Sequence, residues 1–276
     1  MNNMLSNLIV PRINLNSNES IEYAELLTKK YYFDSFILFS TDKVLFGENS
    51  KFTMKKLFMV RDLLEGVSSK NILFFLDAEN GLGKRCFEGS EFDLTDIELL
   101  DNKTIATFFD AINSELYRSK INVNLAPVLD IKDDKSMVLN GRTFSKNPDR
   151  VSEIGSIFLN SAAKNKVIAC TKHFPGHGVH IGDTHNELIK SGISSSALMN
   201  HHLRPFKDLI QSTDLIMMNH INYIEFDSEP LPASMSYKIM TDLLLNKMSY
   251  KGLIISDSIR MKAITSNFTE SLMVKN

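Results

Sequence analysis

Seven short apolar runs, separated by segments of helical periodicity, restrict the fold of this chain more than any other feature. They are Leu8-Ile9-Val10, Ser35-Phe36-Ile37-Leu38-Phe39, Ile72-Leu73-Phe74-Phe75-Leu76 and residues 123–129, 167–171, 215–218 and 252–255. Their β-branched and aromatic residues run on without polar alternation, as in parallel strands covered on both faces. Helical patterns fall between them at about residues 21–31, 53–65, from 104, from 149, 199–210 and 237–246. The clearest places Ile105, Phe108, Phe109, Ile112 and Leu116 on one face. The helix after 149 carries Val151, Ile154, Phe158, Leu159 and Ala162 in the same way.

Such an alternation predicts a (β/α) barrel or an open doubly wound sheet. No G-x-G-x-x-G follows the first run, which favours the barrel. Pro127 should weaken the fourth strand's ladder, since proline has no N–H to donate. After Ile255 no run reads as an eighth strand. The expected α/β architecture is therefore a TIM-type (β/α) barrel lacking its C-terminal eighth βα unit, formed as one domain over residues 1–276. Such a chain is either naturally shortened, part of a longer one, or completed at its two open edges by other contacts.

The 276 residues, 43% of them hydrophobic, suffice for a large core. Lys+Arg 31 against Asp+Glu 33 gives a formal net charge of -2 with no long basic block, which argues against nucleic acid. The apolar runs fall far below the ~18 residues of a membrane span. The N-terminus lacks a charged region followed by a long apolar one, and two cysteines, Cys86 and Cys170, make no disulfide framework. A soluble, cytoplasmic, monomeric protein is the expectation.

Charged residues recur where the runs end: Asp77, Asp130, Lys172 with His173, His220 and Asp257. In a parallel barrel those ends share one rim, so residues distant in sequence converge there. The fifth run passes into a loop with four of the chain's seven histidines (His173, His177, His180, His185), rich in glycine and closing on Asp183-Thr184-His185. Asp183 can orient the His185 imidazole and stabilise its protonated form, making a proton donor near neutral pH. Asp257 is placed as a nucleophile or cation-stabilising carboxylate, or equally as the cap of a helix starting near Ser258. A metal site of His173, His177, His180, Asp183 and His185 is the rival reading. Its spacing fits no zinc pattern such as H-E-x-x-H, so neither metal nor other cofactor is expected.

KHFPGHG (residues 172–178) followed by D-x-H (183–185) resembles bacterial β-N-acetylhexosaminidases of glycoside hydrolase family 3, the enzymes of peptidoglycan recycling. Asp77-Ala78-Glu79-Asn80-Gly81 to Arg85, residues 124–130, Gly141-Arg142-Thr143-Phe144, residues 203–206, residues 217–220 and residues 252–261 correspond to further family motifs, in order. The resemblance implies Asp257 as nucleophile, His185 as general acid/base and Asp183 as its partner. It implies Asp77, Arg85, Arg142, Lys172 and His173 as ligands of the sugar. The implied reaction is retaining removal of terminal β-linked N-acetylglucosamine from muropeptides through a glycosyl-aspartate. A histidine acid repels an anionic acceptor less than a glutamate would, so phosphorolysis stays open. Three positions depart from the pattern: Asn80 for glycine, Gly83 for valine, and Ser258 for an aspartate. Ser258 should tune activity, while the missing eighth unit and the Asn80–Gly83 loop leave a catalytically impaired relic or glycan-binding module as the alternative.

Overall fold

The computed structural model describes residues 6, 8–39, 51–132, 139, 141–177 and 187–269. In chain order its elements are β1 (Arg12–Ile13), α1 (Asn18–Tyr31), β2 (Ser35–Leu38), α2 (Met54–Val67), β3 (Leu73–Leu76), α3 (Asn102–Arg118), β4 (Val123–Asn124), α4 (Pro148–Lys164) and β5 (Ile168–Phe174). These are followed by β6 (Lys190–Ser191), a single turn α5 (Ser195–Ala197), α6 (Arg204–Leu209), β7 (Leu215–Met218), β8 (Asn222–Tyr223), β9 (Leu253–Ser256) and α7 (Lys262–Thr265). Seven strands form a parallel sheet in the order β1-β2-β3-β4-β5-β7-β9, with β6 and β8 a separate pair. That is the order of a (β/α) barrel through its seventh strand, and among the described residues no strand follows β9.

The chain divides into two compact units. The first holds residues 1–93, 107–125 and 161–168. There Phe36, Leu38, Phe74 and Leu76 are buried while the residues between them are half-buried. Side-chain caps start both of its first helices: Ser17 accepts from the Ser20 N–H, and Thr53 from the Lys56 N–H. The Arg61 guanidinium lies over the Phe74 ring and donates to the Ile72 and Lys120 carbonyls and to Asn122 Oδ1. A charge inside a core persists only with such partners. The second unit holds residues 94–106, 126–160 and 169–276. Its β7 is buried throughout, whereas on β9 Leu253 is 73% exposed.

Five of the seven expected strands, the second, third, fifth, sixth and seventh, form where the apolar runs lie, and the other two differ. Leu8 and Ile9 stay outside the sheet, 74% and 44% exposed. The strand begins beyond Pro11, whose carbonyl accepts from the Ile37 N–H. The fourth strand keeps only Val123–Asn124, and past the cis Ala126–Pro127 bond a lone bridge joins Val128 to Lys172. The helix expected at 199–210 is interrupted, with a π-wound turn over Leu198–His202 before α6, where Pro205 has no N–H to continue a helix. That expected at 237–246 is wound wide over Lys238–Lys247, with Met248 N–H reaching back to the Leu243 carbonyl. The periodic faces of α3 and α4 are buried as expected, except that Phe108 is half-buried against Phe92.

The loop before Arg85 is shaped by two of the positions that depart from the family pattern, Gly83 and Asn80. Gly83 N–H donates to the Ser90 carbonyl at 2.7 Å. A Cβ at Gly83 would lie 2.8 Å from the Gly89 carbonyl oxygen and 2.9 Å from the Ser90 carbonyl carbon. The Asn80 amide donates to the Phe92 carbonyl at 3.3 Å and closes the same loop. Gly83→Val should lower the free energy of unfolding by about 1–3 kcal/mol, because backbone atoms and not flexible side chains must move. Urea denaturation measures this, and an unchanged midpoint would show the loop to be looser than described.

Candidate active site

The ends of β5, β7 and β9 are locked level by backbone hydrogen bonds within the second unit. Met218 pairs with Phe174 on one side and Ser256 on the other. Past it, Asn219 N–H donates to the Phe174 carbonyl and Asp257 N–H to the Met218 carbonyl, both at 2.9 Å. Lys172, His173, Asn219, His220 and Asp257 therefore gather at one end of these strands. Lys172 is 2% exposed and His173 5%, and a lysine is almost never so deeply buried unless it is paired. The Lys172–His173 and Phe174–Pro175 peptides are cis.

Asp130 is wholly buried beneath this end. One of its oxygens lies 2.7 Å from His173 Nδ1 and accepts the His173 N–H at 3.2 Å, while the other accepts the His177 N–H. Burial alone would raise this carboxyl. The His173 imidazole, with the His177 ring and N–H behind it, outweighs that cost and holds it below the usual carboxylate range. From the β7 side the Asn219 amide donates to the His173 carbonyl at 3.2 Å and to Tyr223 Oη at 2.9 Å. Tyr223 Oη–H donates in turn to the Gly176 carbonyl at 2.7 Å, and burial pushes its phenol far above the ordinary value, so it stays a donor.

Asp257 is half-buried at the end of β9. Loss of water would raise its carboxyl, but the His173 imidazole, the His220 ring, the Ser258 N–H and the Lys172 ammonium hold it below the ordinary value. It stands ionised at neutral pH. Its Oδ1 accepts the Ser258 N–H at 2.7 Å, and the next helix, α7, starts only at Lys262, so the helix-cap reading of Asp257 fails. Behind it His220 is buried between Ser234 Oγ (2.7 Å from Nδ1) and the Ser258 carbonyl (3.2 Å from Nε2). A carbonyl only accepts, so Nε2 carries the hydrogen and the serine hydroxyl donates to Nδ1.

In the first unit, Asp77 follows β3, and its carboxylate lies 3.9 Å from the Arg85 guanidinium, which also reaches the Asp77 carbonyl at 3.5 Å. The Arg85 guanidinium lies 5.1 Å above the Phe39 ring. Asn124, in β4, clamps the turn after Asp77: its Oδ1 accepts the Ala78 N–H at 3.1 Å and its amide donates to the Ala78 carbonyl. Arg142 is half-buried in the second unit, in the turn closed by its N–H on the Leu139 carbonyl. Asp183 and His185, the expected acid/base pair, lie outside the described residues, as does His180 of the metal reading. Sequence reasoning missed Asn219 and Tyr223 as supports; their four-residue spacing just beyond a strand end was the available signal.

The N-terminal domain of glycosyl hydrolase family 3 matches residues 5–276. The chain belongs to this family. It is 32% identical over 205 residues to a beta-hexosaminidase of Idiomarina loihiensis, covering 72% of this chain and 61% of the relative. To beta-hexosaminidase A of Pseudoalteromonas piscicida it is 33% identical over 171 residues, 57% of this chain and 29% of that protein. The chain thus spans less than two thirds of the length of these curated relatives. A family 3 β-N-acetylglucosaminidase from Paenibacillus sp. shares the fold, with a TM-score of 0.82 over 97% of this chain and 51% of that one at 24% identity. The barrel expected from the strand pattern is the fold of this family.

Burial lowers the His220 imidazole below its ordinary value. Between the unfolded value of about 6.5 and that lower folded one, the unfolded chain holds a proton that the folded chain lacks. Stability must therefore fall as pH falls through this window, by up to about 1.4 kcal/mol per pH unit. His220→Gln can keep both hydrogen bonds and should remove this slope. Urea melts from about pH 7 to 5 compare the two, and parallel curves would disprove the assignment.

Proposed function

We propose that this family 3 barrel is the catalytic domain of a retaining exo-β-N-acetylglucosaminidase. Its substrates would be cytoplasmic muropeptide fragments ending in β-linked N-acetylglucosamine, and it would work as a monomer. The observation that carries the reading is the ionised Asp257 carboxylate, fixed at the end of β9 beside Lys172 and His173. The beta-hexosaminidase relatives support it.

In this mechanism an Asp257 oxygen attacks the anomeric carbon as His185 gives its proton to the departing glycosidic oxygen, leaving a glycosyl-aspartate. Asp183 holds the His185 ring in position. Water then attacks the same carbon, loses a proton to His185 and releases Asp257, so two inversions retain the configuration. Lys172, His173, Arg142, Asp77 and Arg85 would hold the sugar hydroxyls and the N-acetyl group, and no cofactor enters any step. Phosphate in place of water would give a sugar phosphate.

One observation favours a glycan-binding module without turnover: β9, which leads into Asp257, leaves Leu253 73% exposed and among the described residues pairs on its β7 side only. An aryl β-N-acetylglucosaminide separates the readings. The glycosidase should release the aryl alcohol, Asp257→Ala should abolish release, and His185→Ala should cost on the order of 10²–10⁴ in rate. Activity surviving Asp257→Ala would defeat the assignment, and saturable sugar binding without turnover would favour the module. A second set of assays with added phosphate identifies the acceptor.

A further inference from the structure

We propose that Asp130 is a positioning residue of this site. It fixes the His173 ring with hydrogen on Nδ1, and so sets which ring nitrogen is left for a sugar hydroxyl. The inference rests on the reading of His173 as a sugar ligand, and it names the residue through which that ligand is oriented.

The geometry carries it. Asp130 follows the short bridged stretch in which Leu129 N–H donates to the Lys172 carbonyl at 2.7 Å, so its backbone is tied to the strand that bears the histidine. Its carboxylate has no exposed surface and spends its oxygens on residues 173 and 177. A backbone anchor alone would need only the two N–H groups. The 2.7 Å contact to Nδ1 is additional, and an ionised carboxylate there can only accept, so Nδ1 bears a hydrogen committed to Asp130 and Nε2 is the ring nitrogen left for a sugar. His173 and His220 thus commit opposite ring nitrogens, each to a fixed acceptor: Nδ1 to Asp130 Oδ2 in one and Nε2 to the Ser258 carbonyl in the other. The carbonyls of the same stretch are fixed independently, His173 by Asn219 and Gly176 by Tyr223. Loss of the Nδ1 contact should therefore turn or re-protonate the ring without releasing the segment.

The test uses ¹⁵N-histidine-labelled protein, with the His173 ring signals assigned by their loss in His173→Gln. In the unmodified chain at neutral pH the ring should show the Nδ1–H pattern. In Asp130→Asn an amide NH₂ can face Nδ1, and the ring should move to the Nε2–H form. With an aryl β-N-acetylglucosaminide, the same variant should lose roughly 10–10²-fold in kcat/KM, with the loss weighted toward KM. Asp130→Glu, which restores an acceptor-only group, should recover the Nδ1–H pattern and part of the activity. A ring with no hydrogen on Nδ1 in the unmodified chain overturns the proposal, and that spectrum needs neither a folded variant nor an active enzyme. Asp130→Asn kinetics within twofold of the unmodified enzyme overturn it too. Nδ1–H in the unmodified chain without any turnover counts against the glycosidase reading alone and leaves Asp130 supported as the group that sets the ring.

Discussion

A fully buried carboxylate is unstable unless its oxygens are met by donors, and the described part of the site is arranged around meeting that condition at Asp130. Two of its donors are backbone N–H groups four residues apart, so satisfying the charge also closes the turn from His173 to His177. The third donor is an imidazole, so the same act fixes a ring. Asn219 and Tyr223 complete the arrangement by taking the carbonyls of that turn. Strand β5 therefore leaves the sheet with donors bound on one side and acceptors on the other. The segment carrying the histidines starts from a rigid root.

Asp257 depends on this root at one remove. Its charge is favoured chiefly by the His173 ring, which Asp130 holds, and by Lys172 on the same strand. Its position depends on β7, through its own N–H on Met218 and through His220 on the Ser258 carbonyl. Because His220 keeps its hydrogen on Nε2 to serve that carbonyl, it braces the backbone after Asp257. The histidines at these strand ends thus have separate tasks, divided by which ring nitrogen each commits to a fixed acceptor.

How much of this the sequence makes legible depends on whether a property is periodic, terminal or tertiary. The faces of α3 and α4 follow from spacing alone, and Ile105, Phe109, Ile112 and Leu116 are buried as that spacing requires. The convergence of Asp130, Lys172, His173, His220 and Asp257 is legible too, because parallel strands end on one side. The first strand was misread because an apolar run is not a strand until a neighbour takes its hydrogen bonds, and β2 takes those of Pro11 and Ile13. Wide winding near Leu198 and Lys238 has no marker in apolar spacing. Nor does Tyr223 read as a brace of residue 176, since that contact spans 47 positions.

The Asn80 and Gly83 departures also look different once the packing is known. Taken singly, each reads as erosion of a conserved-looking loop. In the fold they are one local solution, because Gly83 lets the chain of residues 89–91 close to backbone contact and the Asn80 amide secures the far end at Phe92. Phe92 N–H answers on the Asn80 carbonyl, so the loop is held by reciprocal bonds. Arg85, two residues beyond Gly83, still reaches Asp77 and still lies over Phe39. A valine-to-glycine change that merely loosened the loop would have no reason to bring a second glycine, Gly89, to within 2.8 Å of where the missing side chain would stand. The tight closure argues for a reshaped wall around a retained arginine, not for a decayed one.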